Sequence, residues 1–146
     1  QGYPDHMTAE MIELIRLGRE VVDDGRLKQL REQIGFSRSM MSEILHISPV
    51  TYTRWEHAGG ASLRLLVAEK IGRFYQQTSR IVEELTRDGV DIGTLIPMHL
   101  VAAAAGVPQE LLLARYRDGD FEAVDLGILG LWLHREDLVT LGVEDK

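Results

Sequence analysis

Cysteine is absent from the 146 residues, which excludes disulfides and thiolate metal sites and makes a reducing cytoplasm the expected location. Aromatic residues are scarce. Only three Phe and two Trp stand among many Leu, Ile, Val and Ala, a composition that suits helix packing better than a β-sandwich. No apolar run approaches the roughly 20 residues that span a bilayer, so no membrane partner is expected. The N-terminus lacks the basic-then-apolar pattern of a secretory signal, and residues 1–6 read as a tag remnant ahead of Met7. The five His, at 6, 46, 57, 99 and 134, show no paired-ligand spacing, and no glycine-rich phosphate loop follows a strand. Glu136-Asp137 is read as the opening of a helix, where acids are favoured by the dipole. The expectation is a non-enzyme with no metal site, no cofactor and no evident small-molecule ligand.

Positive charge is also short overall, with a formal net charge of −7. The distribution matters more. Residues 1–24 hold two Lys/Arg against six Asp/Glu, residues 25–80 nine against four, and residues 81–146 five against thirteen, leaving −4, +5 and −8. A basic island thus lies between acidic flanks. Phosphate binding follows local potential, because charges beyond a Debye length of about 8 Å are largely screened at physiological salt. The hydrophobic fraction of 45% and charged fraction of 27% argue against global disorder.

Helical periodicity dominates the chain. Thr8 can cap a first helix to about Val22, with Met11, Ile15 and Val22 on one face and Ile12 beside them. Leu27, Leu30 and Ile34 mark a second helix closed by Gly35. Ser37 caps a third containing Met41, Ile44 and Leu45. Ser48, followed by Pro49 at the first helical position, opens a fourth that runs to about Glu56. Gly59-Gly60 then breaks the chain. From Ser62 to about Arg87 a long apolar stripe of Leu63, Leu66, Val67, Ile71, Phe74, Ile81, Val82 and Leu85 predicts one long helix or two nearly continuous ones. Beyond Asp88-Gly89, helices are expected over Pro97 to Ala105, Gln109 to Asp118 and Arg135 to Leu141. Phe121 to Leu126 and Leu129 to Leu133 are expected to pair as a hairpin around Gly127.

The thirty residues from Leu27 to Glu56 carry the sharpest pattern. Met41, Ile44 and Leu45 form the apolar face of a scaffold helix. Ser42 is small enough for the next helix to approach, Ile47 is an apolar turn residue, and Tyr52 and Trp55 are the buried side of a recognition helix that ends on Glu56. This segment resembles the helix-turn-helix of the Cro/C1 repressor family, without a gap. His46 stands where that family usually has Gly, so it is expected in a left-handed turn. The resemblance implies double-stranded DNA as partner. Physically, a short capped helix with its apolar residues on one side leaves Pro49, Val50, Thr51, Thr53 and Arg54 for the major groove, which is about 12 Å wide. Arg54 can fork onto a guanine edge, the two threonines can hydrogen-bond, and Val50 can meet a thymine methyl. Pro49, in place of a longer polar residue, removes one base contact. Arg38 and Ser39 open the preceding helix, where amides favour a phosphate, and Arg64 is a further phosphate candidate.

Residues Leu95 to Leu141 are similar to the winged helix-turn-helix of excisionase and MerR-like proteins. Leu95 to Val107 would be scaffold helix and turn, Gln109 to Gly119 recognition helix, Asp120 to Gly127 the first wing strand, and Leu133 to Leu138 the exit. The wing stretch Gly127 to Trp132 lacks the Arg usual in that family. The resemblance makes Gln109, Leu113, Arg117 and Trp132 candidates for a second DNA contact.

The expected architecture is therefore mainly α, with a small β-hairpin: a helix-turn-helix domain over residues 7–61, a long linking helix over 62–89, and a winged-helix-like domain over 90–146. The expected function is a sequence-specific transcriptional repressor of the phage or prophage immunity kind, DNA-associated in a bacterial cytoplasm. A 26-residue linking helix would extend roughly 39 Å, which favours a monomer on an asymmetric site; a homodimer on an inverted repeat is the alternative. A rival reading is an antitoxin-like or anti-activator-like module whose C-terminal half binds a protein partner or dimerises.

Overall fold

The computed structural model describes residues 5–59 and 63–143. Ser62, the expected start of the long helix, most of residues 1–6, and Gly60 lie outside them. The chain is mainly helical with a small three-stranded antiparallel sheet. It divides into two compact units, residues 1–80 and 81–146, a division that falls inside the longest helix.

The first unit holds α1 (Ala9–Asp23), α2 (Arg26–Ile34), α3 (Arg38–Leu45), α4 (Pro49–Ala58) and most of α5 (Leu65–Arg87). Local chemistry sets the boundaries. The hydroxyls of Thr8, Ser37 and Ser48 accept hydrogen bonds from the third residue on, Met11, Met40 and Thr51, each at 3.1 Å. Each cap thereby satisfies a backbone donor that the first helical turn leaves unpaired. Gly35 closes α2 with φ 78°, and His46 closes α3 with φ 56°, the left-handed conformation expected for it. Leu14, Ile15, Val21, Leu27, Leu30, Ile34, Met41, Leu45, Tyr52 and Ile71 make up much of the core.

Three features depart from the expected pattern. Ile44, placed with Met41 and Leu45 on the inner face of α3, is 39% exposed, and the small Ser42 is buried in that helix instead. Leu66, placed in the buried stripe of α5, is 70% exposed. The face of α5 that turns inward there is lined by Ala68 and Gly72, because α1 crosses it backbone to backbone. A methyl group on Gly18 would lie 1.9 Å from Ala68 O, and one on Gly72 would lie 2.0 Å from Leu14 O. Trp55, expected in the core, is only half-buried. The inward positions of α4 are taken by Tyr52 and, one turn later, by Glu56, which puts Trp55 off to the side.

The second unit contains β1 (Leu95–Pro97), α6 (Met98–Ala105), α7 (Gln109–Arg117), β2 (Val124–Asp125) and β3 (Leu131–His134). The expected hairpin is present: β2 pairs with β3, Val124 facing Trp132. A third strand was not expected. β1 pairs antiparallel with β3, Leu95 with His134 and Pro97 with Trp132, where the scaffold helix was expected to begin. Pro97 sits at φ −60°, ψ 140° as the residue before α6, so its extended backbone ends the strand and its ring precedes the first helical turn. The helix expected over Arg135 to Leu141 is reduced to a 3-10 turn, Arg135–Asp137. Tight turns follow it to Gly142 and carry Leu138, 1% exposed, into the core. Around Leu138 lie Met98, Val101, Ala102, Leu112, Leu133 and Val143.

Candidate nucleic-acid interface

The caps that set α3 and α4 also decide which side chains face outward. In α4, Tyr52 is fully buried while Pro49, Val50 and Arg54 are exposed, Val50 by 76%. Thr51 and Thr53 are half-buried. The Ser48 hydroxyl donates to Thr51 Oγ1 at 2.8 Å, so the Thr51 hydroxyl keeps its own proton for an outside acceptor. Arg54 makes no hydrogen bond or ion pair among the described residues. At the start of α3, Arg38 and Ser39 are exposed, and Arg64 is exposed just ahead of α5.

Sequence reading missed the network beneath this surface. Arg31 Nε and Nη2 donate to Glu56 Oε2 and Oε1 at 2.7 and 3.2 Å, and Arg31 Nη1 donates to Phe36 O at 2.8 Å. Arg38 Nε donates to the same Glu56 Oε1 at 3.1 Å. Burial alone would raise the Glu56 carboxyl, but Arg31, with the Tyr52 hydroxyl and Arg38 acting in the same direction, holds it below the usual carboxylate range. Burial acts to lower the Arg31 guanidinium, and the Glu56 carboxylate more than offsets it. Burial, with Glu56 beside it, pushes the Tyr52 phenol far above its ordinary value. Glu56 was recognised only as a motif ending. Its partner Arg31 stands 25 residues earlier, a separation no helical period reports. Lys70 was also missed; its Nζ donates to Leu45 O at 3.2 Å, where a cation meets the carbonyl end of α3.

Residues 27–80 match a family model described as helix-turn-helix, of the Cro/C1 type. This segment is a helix-turn-helix. The match reaches from the start of α2 into α5 and supports double-stranded DNA binding and transcription regulation in general. The helix-turn-helix therefore owns the basic island and every candidate residue from Arg38 to Arg64. No curated protein and no solved structure matches the chain.

The second candidate set fares differently. Gln109 and Arg117 are exposed at the two ends of α7. Trp132 is 1% exposed, on the central strand of the sheet, and its Nε1 donates to Leu129 O at 2.9 Å. It cannot reach a groove. Leu113 packs against the core of its unit, while Leu111, two positions earlier, is 50% exposed. Leu112 is the buried residue of α7, and Leu113 and Tyr116 are half-buried beside it. The burial of Trp132 therefore removes it as a contact residue, while Leu113 keeps a partly exposed edge. Among the described residues no group of three His, Asp or Glu is arranged to hold a metal ion, and no helix is long and apolar enough to cross a membrane.

Proposed function

We propose that the helix-turn-helix lays α4 in the major groove of double-stranded DNA and that the chain is a sequence-specific transcriptional repressor. One observation carries this reading: a capped α4 exposes Val50 and Arg54 beside a buried Tyr52–Glu56 side, within the chain's single basic stretch. Arg54 reads a guanine edge, Val50 a thymine methyl, and Thr51 and Thr53 supply hydrogen bonds, while Pro49 shapes the entry of the helix. Arg38, Ser39 and Arg64 meet phosphates, which position the head without reading sequence. Assignment to the phage-immunity kind, in a bacterial cytoplasm, is by analogy with short two-headed repressors. Random-site selection with the full chain tests the reading. Arg54→Ala should lose on the order of 1–3 kcal/mol on the selected site and little on random DNA. Equal losses on both would move Arg54 to the phosphate class.

For the second unit, the burial of Trp132 together with an excess of acid favours a partner-binding or dimerising module. The arrangement α6, tight turn, α7 and β2–β3 hairpin is what supports its likeness to a winged helix-turn-helix. A second DNA sub-site would rest on Gln109 and Arg117, with the half-buried Leu113 between them. A Gln109→Ala/Arg117→Ala variant should bind DNA like the unsubstituted chain. Light scattering of the complex distinguishes one chain on an asymmetric site, the favoured form, from a dimer on an inverted repeat.

A further inference from the structure

We infer that Glu56 is a positioning residue for DNA binding: its buried carboxylate holds the Arg38 guanidinium so that the remaining N–H groups meet a backbone phosphate. This rests on the DNA-binding reading above and deepens it.

The carboxylate is an unusually fixed anchor. Its side chain is 5% exposed, and Arg31, itself 9% exposed, grips both of its oxygens while also donating to Phe36 O. Arg38 differs. It opens α3 with its side chain 44% exposed, and only its Nε turns inward, to Glu56 Oε1. A guanidinium carries five donors in a planar fork. One is used on Glu56, and the others make no hydrogen bond among the described residues. The exposed Glu32 carboxylate lies 3.9 Å from Arg31 Nη2, on the Arg31 side of the network, so Arg38 is the cation left facing outward. Without the anchor, a long exposed arginine must lose its rotamer freedom on binding, a cost of about threefold to tenfold in affinity for one side chain.

Charge alone and positioning predict opposite signs for Glu56→Gln, since removing a negative charge should tighten binding to DNA. The test titrates the full chain with a mixed-sequence duplex over a series of salt concentrations, for the unsubstituted protein, Glu56→Gln, Arg38→Ala, the double variant and Arg38→Lys. Circular dichroism verifies the fold of each. We expect Glu56→Gln to bind about threefold to tenfold more weakly and to flatten the slope of log affinity against log salt by about 0.9, one phosphate's worth. Both effects should vanish in the Arg38→Ala background. Arg38→Lys leaves the Arg31–Glu56 pair intact, so it decides the matter even if Glu56→Gln folds poorly. An ammonium on a flexible four-carbon stem has donors enough but lacks the planar fork that fixes the outer N–H groups once Nε is held by the carboxylate. This variant should therefore fall close to Arg38→Ala. Glu56→Gln binding as tightly as the unsubstituted chain or tighter, a loss that persists without Arg38, or Arg38→Lys binding like the unsubstituted chain would each overturn the inference. If the unsubstituted chain shows no salt-dependent binding at all, the DNA-binding reading fails first and takes this inference with it.

Discussion

Replacing Gly18 by alanine should destabilise the first unit, although alanine is the better helix former by about 1 kcal/mol. The added methyl would stand 1.9 Å from Ala68 O, 2.8 Å from Ala68 C and 3.0 Å from Gly72 N. All three are backbone atoms of α5, so no side chain can swing away. Restoring an ordinary contact requires α1 and α5 to part by about 1.5 Å, and a gap of 0.5–1 Å already forfeits about a quarter to a half of each dispersion well. Leu14, Ile15, Ala68 and Ile71, buried around the crossing, are at most 2% exposed. Strain and lost contact together come to about 3–4 kcal/mol, and subtracting the helix-propensity gain leaves a net loss of about 2–3 kcal/mol. For a unit of this size that lowers the melting midpoint by about 10–20 °C. Urea and thermal unfolding followed by circular dichroism measure it directly. Gly72→Ala should cost a similar amount. The double variant should cost clearly less than the two losses added, since helices already forced apart accept the second methyl cheaply. A Gly18→Ala protein as stable as the unsubstituted chain would refute the close crossing.

The stability contributed by Glu56 depends on pH with a definite sign. Its carboxyl lies below the ordinary value of 4.5 in the folded chain, so the contribution is complete above that value and is lost as pH falls through the folded value. The gap in unfolding free energy between the unsubstituted protein and Glu56→Gln, about 3 kcal/mol at neutral pH, should close only below about pH 4.5; a gap independent of pH would show that the carboxylate charge is irrelevant. Trp55→Ala should cost about 1–2 kcal/mol rather than the larger loss of a core tryptophan, since Trp55 is half-buried; a loss above about 4 kcal/mol would return it to the core. Trp132→Ala should unfold or loosen the second unit by roughly 3–5 kcal/mol, read by thermal denaturation. A variant that melts normally but binds DNA poorly would restore Trp132 as a contact.

Whatever could be decided within one or two helical turns was legible in the residues themselves. Thr8, Ser37 and Ser48 announce helix starts because a short hydroxyl side chain reaches only the backbone donors just ahead of it. Gly35 and His46 announce stops because few residues sit well at positive φ. Pro49 after Ser48, with Tyr52 spaced to face inward, was enough to mark α4 and the outward set from Val50 to Arg54, and the basic island pointed to a polyanion.

Tertiary structure decided what depends on partners distant in the chain. Periodicity ranked Leu66 as buried and ignored Gly72, because it scores side chains and cannot see that α1 presents bare backbone there. It set Trp55 in the core because it could not foresee an ion pair to Arg31 on the inner side of α4. It offered Trp132 to DNA because an extended Leu95–Pro97, not a helix, had to pair with β3 before that strand became the centre of a sheet. Sequence patterning thus carried the local hydrogen bonds and the charge of the reading head. Packing between remote segments chose which of its arginines are anchored, which helices touch, and which aromatic residues see solvent.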